Sequence, residues 1–335
     1  MALFGRKKIE SGVEEFEQGI VLCHECGKEI EFSGLQPLSM TQCPHCEHGY
    51  NFIPLRIADF WLFRPLGGGG MGSVYEALIV GDPERHAAVK VLPRDKKDDP
   101  ILLAGLQAEI EIMQALGQHP NIVSIIDAGF DGTEYYLGMD FIKGERLDKR
   151  IHRLGRLSEM EVLTIGLQIL SGETHIYNQG YLFRDMKPEN VIIDEHGAHL
   201  FDYGICIRVE EAYEDLGDVV SGSPIYWPPE RVMGEVEMPR SEIYSIGMVM
   251  FHALKGEPFF QAKELDAMAR KHVRKVRVQN YEEKLKGIEP DLATVILKMI
   301  ARDPEKRYQT FAEVEYELTR ILEKRIHSRL TENGA

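Results

Sequence analysis

The segment Arg184-Asp185-Met186-Lys187-Pro188-Glu189-Asn190 sets a carboxylate (Asp185) two residues ahead of an ammonium (Lys187) and five ahead of a side-chain amide (Asn190). A base, a phosphate-neutralising cation and a metal ligand thus fall within one short loop. Phosphoryl transfer draws its catalysis mostly from positioning and charge stabilisation, so it needs such groups close together. Seven residues alone also suit a solvated turn, because Asp, Asn and Pro favour turns for purely local reasons. The flanking sequence separates these readings.

The bounds on it are broad. A chain of 335 residues accommodates one large domain or two smaller ones. Its 44% hydrophobic content supplies a core and excludes global disorder. No run reaches the ~18 apolar residues of a membrane span, and the most apolar stretch, Ile243 to Leu254, reads as a buried helix. The leading Met-Ala-Leu-Phe-Gly-Arg-Lys-Lys lacks a secretory apolar region, so the expected location is cytoplasmic. A net charge of −15 argues against general nucleic-acid binding. The basic run Arg270-Lys271-His272-Val273-Arg274-Lys275 reads as a solvated helix face, or else as a docking patch for an acidic partner.

Residues 1–18 are mixed in charge and poor in large apolar groups, and a mobile tail is expected there. Over residues 19–54, Cys23-x2-Cys26 and Cys43-x2-Cys46 can set four thiolates tetrahedrally around one zinc ion. Gly27 directly after Cys26 suits the tight turn of a metal knuckle. Ile20, Val21, Leu22, Ile30, Phe32, Tyr50, Phe52 and Ile53 fit two small hairpins, whose core is too small to fold without the metal. Two disulfides are the competing reading, which a reducing cytoplasm disfavours. A closed four-cysteine site is structural, with no open position for catalysis. The segment resembles a zinc ribbon, a module that binds protein, nucleic acid or nothing. The fifth cysteine, Cys206, reads as an apolar filler rather than a redox switch.

From Asp59 the character changes. Leu66-Gly67-Gly68-Gly69-Gly70-Met71-Gly72-Ser73-Val74 contains G-x-G-x-x-G-x-V with strand-like residues on both sides. Glycines let a backbone fold over phosphates and aim N–H groups at them. A dinucleotide site would want a helix directly after them, whereas Ser73 to Leu78 reads as a strand. Ala87 to Leu92 is a strand with Lys90 set among apolar neighbours, a costly position unless the ammonium is paired. A partner stands on the next helical stripe, Leu103, Leu106, Ile110 and Met113, beside which Glu109 lies. Alone, each of these residues also has a bland reading, an edge-strand lysine and a surface glutamate.

Taken in order, these segments make residues 59–324 similar to the eukaryotic-like serine/threonine protein kinases, with Gly-Gly-Met-Gly-Ser-Val-Tyr closest in form to the bacterial branch. The resemblance implies an α+β bilobal fold, a β-rich small lobe (59–138) and a helical large lobe (143–324), followed by a tail at 325–335. It implies ATP, one or two magnesium ions, and a protein substrate carrying serine or threonine. On matching residues, Leu66, Gly67, Gly69 and Gly72 would cover the phosphates, and Lys90 with Glu109 would hold them. Val74, Ala88 and Ile192 would sandwich adenine, and the backbones of Asp140 and Ile142 would bond its edge, with Met139 as gatekeeper. Asp185 would orient the substrate hydroxyl and take its proton, Lys187 would neutralise the γ-phosphate, and Asn190 with Asp202 would hold magnesium. Ser158 and Glu161 form a capping box that opens a long helix leading to the loop. Ser223 would meet Asp185 and Lys187, and Glu230 would pair with Arg307.

Three positions depart from the family pattern: Phe183 stands for His, Tyr203 for Phe, and Glu242 for Asp. Phe183 and Tyr203 are expected in one internal column with Met113 and Ile125, where ring contacts are favourable and the tyrosine hydroxyl offsets the missing imidazole. All three touch the support of the catalytic loop and none removes a reacting group, so an active enzyme is expected. The alternative is a nucleotide-binding scaffold without transfer. The segment Asp202 to Glu230 has no threonine; its candidate phosphosites are Tyr213, Ser221 and Ser223, and Glu210, Glu211, Glu214, Asp215 and Asp218 make it acidic. Either one of those acids satisfies Arg184 in place of a phosphate, or the acids are simply solvated.

Overall fold

Ala87, Val89 and Val91 are buried while the intervening Ala88 and Lys90 are half-buried, the period-2 signature of a strand with one face on a core. This strand belongs to a six-stranded antiparallel sheet in a computed structural model that describes residues 11–69, 72–96, 98–213, 223–262, 264–273 and 278–333. The described residues divide into two compact units, one holding residues 11–111 and 124–141, the other residues 112–123 and 142 onward.

In the first unit the chain begins with a helix, α1 (Val13–Glu17), and two small hairpins, β1 (Ile20–Leu22) with β2 (Glu29–Glu31) and β3 (Met40–Thr41) with β4 (Asn51–Phe52). The main sheet follows: β5 (Leu55–Ile57), β6 (Phe60–Gly69), β7 (Gly72–Ile79), β8 (Asp82–Val91), β9 (Ile125–Phe130) and β10 (Tyr135–Asp140), in the order β5-β6-β7-β8-β10-β9. Ile57, Phe60, Leu62, Ala77, Val89 and Tyr136 form its core. Gly138 is demanded by that core, since a Cβ there would lie 2.7 Å from the Phe60 ring.

The hairpins are seated on the sheet. Phe16, Val21, Cys23, Ile30 and Cys43 share one apolar cluster with Trp61 and Leu78 of β6 and β7. The Trp61 indole N–H donates to Glu17 Oε1 at 3.0 Å, and Phe16 and Phe32 lie against its ring. Leu38 packs against the sheet core, and Phe52 lies 6.1 Å from Tyr75. The expected mobile tail over residues 1–18 is therefore corrected for its described part: Phe16 has an apolar socket, and burying an aromatic ring stabilises enough to order one short helix. Residues 1–10 lie outside the described residues.

The second unit is mainly helical. α3 (Leu147–Leu154), α4 (Glu159–Asn178), α5 (Pro229–Met233), α6 (Pro239–Lys255), α7 (Leu265–Val273), α8 (Val278–Lys284), α9 (Pro290–Met299) and α10 (Phe311–Asn333) surround short hairpin strands. α6 covers the apolar run read from the sequence and is buried along nearly its whole length. Ser158 caps α4, accepting from the Glu161 N–H at 3.3 Å while Glu161 Oε2 accepts from the Ser158 N–H at 3.1 Å. The expected tail from 325 onward is instead the end of α10, where Arg325 pairs with Glu159 at 2.6 Å and Asp291 at 2.7 Å. The short strands β11 (Glu145–Arg146), β13 (Val191–Ile193) and β14 (Ala198–Leu200) form one sheet, and β12 (Tyr181–Leu182) pairs with β15 (Ile207–Arg208).

Candidate active site

In the first unit, β8 turns Lys90 away from the core face, and a helix, α2 (Pro100–Leu116), brings Glu109 to it. Lys90 Nζ donates to Glu109 Oε2 at 2.5 Å, with both side chains largely buried. A buried pair of this kind loses much by desolvation unless its geometry is good, and here it is close and direct. Leu66, Gly67 and Gly69 lie on β6 and Gly72 and Val74 on β7, with Gly67 opposite Val74 and Val74 opposite Lys90. Gly72 has φ 139, and a Cβ there would meet the Val91 carbonyl at 2.7 Å, so the position admits glycine alone. Gly70 and Met71 lie outside the described residues. Ala88 neighbours Lys90 on β8, opposite Met139 of β10. Asp140 ends β10, its N–H donating to Ser124 and its carboxylate pairing with Arg85 at 2.9 Å.

In the second unit the loop between β12 and β13 carries the other groups. Lys187 Nζ donates to Asp185 Oδ2 at 2.7 Å, and Asn190 Nδ2 donates to the same oxygen at 2.8 Å and to the Asp185 carbonyl at 3.1 Å. Asp185 Oδ2 is thus anchored twice, while Oδ1 has no partner among the described residues. Asn190 spends its amide N–H groups on Asp185, and a side-chain amide oxygen is a donor type that suits a hard cation. Asp202 follows β14, and the Phe201 N–H donates to the Asn190 carbonyl at 3.2 Å. Arg184 and Asp202 both have positive φ, 65 and 69 respectively. Non-glycine residues hold such conformations only where their surroundings impose them. Ile192 lies on β13 opposite His199, and the Ile142 carbonyl accepts from Gly144.

The altered positions can be placed. The Phe183 and Tyr203 rings lie 5.8 Å apart, edge to face, and the Tyr203 hydroxyl donates to the Leu200 carbonyl at 2.9 Å. Both are fully buried, as is Met113; Ile125 lies on β9 in the first unit. Glu242 Oε1 accepts the Arg184 backbone N–H at 2.9 Å, so the longer side chain still reaches the loop. Glu230 and Arg307 form a doubly bonded pair, 2.7 and 2.9 Å, in which the Arg307 side chain is completely buried.

The expectation for Arg184 is corrected. Its guanidinium reaches Glu237, Nε at 2.9 Å and Nη2 at 2.7 Å, and none of the described acids of the 202–230 segment. Glu211 instead accepts from the Arg208 N–H. Glu214, Asp215, Asp218 and Ser221 lie outside the described residues, as do Arg274 and Lys275 of the basic run. Nothing in the sequence singled out Glu237 or its second partner, Arg231. Glu237 stands in no motif, and the turn that aims it depends on Gly234 adopting a left-handed conformation, φ 68, after α5.

The four sulfurs of Cys23, Cys26, Cys43 and Cys46 lie within 4.8 Å of one another. Cys23 and Cys46 are 3.6 Å apart, Cys26 and Cys43 3.7 Å. Ligands at the usual ~2.3 Å around a tetrahedral zinc ion stand ~3.8 Å apart, whereas a disulfide needs ~2.05 Å. Each pair sits on a tight knuckle, Gly27 N–H to the Cys23 carbonyl and Glu47 N–H to the Cys43 carbonyl, with Gly27 at φ 71 and Glu47 at φ 61. Burial disfavours the Cys23 thiolate, but the Cys26 and Glu25 N–H groups and the neighbouring thiols bring its pKa down to about 6. Cys46, although the His48 N–H favours its thiolate, is pushed up to about 12 by burial and those same thiols. Left to itself the cluster resists a second negative charge, which a dication would relieve. Cys206 donates weakly to the Phe183 carbonyl and is buried.

Comparison with known proteins agrees with this geometry. Residues 60–318 match the protein kinase domain model. The chain is 31% identical over 275 residues to the serine/threonine-protein kinase PrkC of Bacillus subtilis, an alignment covering 79% of this chain and 42% of that protein. It is 32% identical to PknB of Mycobacterium leprae, covering 84% and 44%, and 32% identical to the probable PknB of Lactococcus lactis, covering 76% and 40%. The chain spans about two fifths of the length of these curated relatives. It belongs to the protein kinase family.

Proposed function

We propose that this member of the protein kinase family transfers the γ-phosphate of ATP to serine or threonine hydroxyls of protein substrates. The observation that carries the reading is the state of Asp185: one carboxylate oxygen is anchored by Lys187 and Asn190 and the other has no partner among the described residues. That second oxygen orients the substrate hydroxyl and takes its proton as the oxygen–phosphorus bond forms and ADP departs. Lys187 meets the charge on the transferring group, and Lys90, steadied by Glu109, meets the α- and β-phosphates. The Gly67–Val74 strand pair covers the phosphates, Val74, Ala88 and Ile192 flank adenine, and Asp140 and Ile142 bond its edge. Asn190 and Asp202 hold the magnesium, which neutralises phosphate charge when bound.

The four thiolates hold structural zinc. A cytoplasmic setting fits four thiols spaced for one metal ion rather than for two disulfides; no helix among the described residues is long and apolar enough to cross a membrane. Exposed Met40 and Tyr50 support a protein partner for the ribbon, and the acidic balance speaks against nucleic acid. The scaffold alternative loses support because the sequence lacks none of the reacting residue types and its relatives are serine/threonine-protein kinases. The test is ATP- and magnesium-dependent phosphate transfer to casein by the wild type and by Asp185→Asn. A drop of about 10²-fold or more is expected, from loss of the positioned base. Equal background transfer by the two proteins would end the enzyme reading.

A further inference from the structure

We propose that Glu237 is a positioning residue that locks the catalytic loop through Arg184, so that phosphate transfer does not require a phosphate on the 202–230 segment. The proposal rests on the kinase reading above and concerns how that same site is regulated.

Arg184 directly precedes Asp185 and is held in a strained conformation by three separate contacts. Its backbone N–H donates to Glu242 at 2.9 Å. Its carbonyl accepts from Arg231 Nη1 at 2.6 Å. Its guanidinium binds Glu237 through two nitrogens. Glu237 is in turn gripped by Arg231, Nε at 3.0 Å from both carboxylate oxygens and Nη2 at 2.6 Å from Oε2. The three side chains are mostly buried, Glu237 to within 5% of full enclosure.

In kinases at large, a phosphate on the activation segment orders that segment and the catalytic loop by pairing with arginine. Here the arginine beside Asp185 already has its anion. A carboxylate sharing charge-assisted hydrogen bonds with two buried guanidiniums is short, strong and geometrically specific. An incoming phosphate would have to displace it, leaving a buried carboxylate unpaired. The local chain makes the arrangement permanent: α5 ends at Gly234 in a left-handed turn, the Glu235 N–H returns to the Glu230 carbonyl at 2.8 Å, and Glu237 thereby comes back onto Arg231. The clamp and the Glu230–Arg307 pair spring from the same short helix, so the loop's brace is built into the rigid part of its unit.

The test uses the full chain, stripped with a broad phosphatase until mass spectrometry finds no phosphate, with transfer to casein as the readout. The stripped wild type is expected to keep its rate within about twofold. Glu237→Gln is expected to lower kcat about 10- to 100-fold with the KM for ATP within about twofold, the scale of a small displacement of a positioned base. In an Arg184→Met background the same substitution should add clearly less than its loss in the wild type, because the Arg184 side-chain link is already gone and only the Arg231 hold on the residue-184 carbonyl remains for Glu237 to steady; a purely structural role would add its full loss in both backgrounds. Wild-type activity that vanishes on stripping, or Glu237→Gln with unaltered kcat, overturns the clamp while leaving the kinase reading intact. No transfer by the wild type in any state overturns that reading and the clamp with it. If Glu237→Gln does not fold, the stripped wild type alone still decides.

Discussion

Replacing Glu173 by glutamine should stabilise the protein increasingly as pH rises. Glu173 lies on α4, 1% exposed, and its Oε1 has no hydrogen-bond partner among the described residues. Burial, with Glu242 nearby, raises its pKa well above 4.5. Glu242 is itself raised to about 7, by burial first, against the opposing pull of Arg231 and Arg184. Both groups are acids that the fold prefers protonated. Above about pH 4.5 the unfolded chain ionises them while the folded chain keeps their protons, so the folded state binds more protons and stability falls as pH rises. The slope is ~1.4 kcal/mol per pH unit for each such group. Glu242 contributes until about pH 7, and Glu173, raised by burial, contributes in the same direction. Glu173→Gln removes one of the two. The variant should therefore gain progressively on the wild type as pH rises from about 5. Urea unfolding at half-unit steps from pH 5 to 8, with m-values compared, measures this directly. A difference between variant and wild type that is constant across the range, or that grows toward acid, would refute the neutral carboxyl.

Arg307→Met should leave Glu230 as a buried, unpaired carboxylate and cost about 3–5 kcal/mol, or roughly 6–20 °C in Tm. Adding Glu230→Gln should recover part of that loss, and a double variant no better than the single in a thermal scan would contradict the pairing. Removing zinc with a chelator, or making Cys43→Ser, should free the hairpins from the sheet and wet Trp61. The chain has two tryptophans, so a red shift in fluorescence that disappears in Trp61→Phe, leaving the Trp227 signal unmoved, identifies the ribbon's socket as the site of the change.

What was legible in the sequence was what short spacing encodes. A Cys-x2-Cys pair must form a knuckle, a Ser followed three residues on by Glu must cap, and a lysine inside an apolar strand must find an anion; each constraint operates within one element or between neighbours. Glu237 was not legible because its partners are 6 and 53 residues away, and which carboxylate reaches Arg184 depends on where α5 stops. The sequence offered five nearer acids, and proximity along the chain was the wrong guide. Phe16 was missed for a similar reason: one aromatic residue among charges reads as a tail until Trp61 supplies the other half of its socket. The second knuckle hid behind Glu47, which takes the left-handed turn that Gly27 advertises in the first.

The altered positions beneath the catalytic loop are better understood together than singly. Phe183 brings no polar atom to the interior, so the loop gains nothing from the position where the family has histidine. Tyr203 returns a hydroxyl donor, shared between the Leu200 and Val123 carbonyls, next to Asp202. The remaining support has moved to charge. Arg184 and Arg231 carry two positive charges; Glu237 and an ionised Glu242 answer them, and a protonated Glu173 adds none. The buried set is then neutral overall, although burial still disfavours the ionised Glu242. It is neutral only when Glu242 is ionised, above about pH 7. Below that, the fold as a whole is more stable, yet the contact that holds the Arg184 N–H weakens from a carboxylate to a neutral carboxyl. Stability and loop alignment thus run in opposite directions with pH, because one buried carboxyl group serves both.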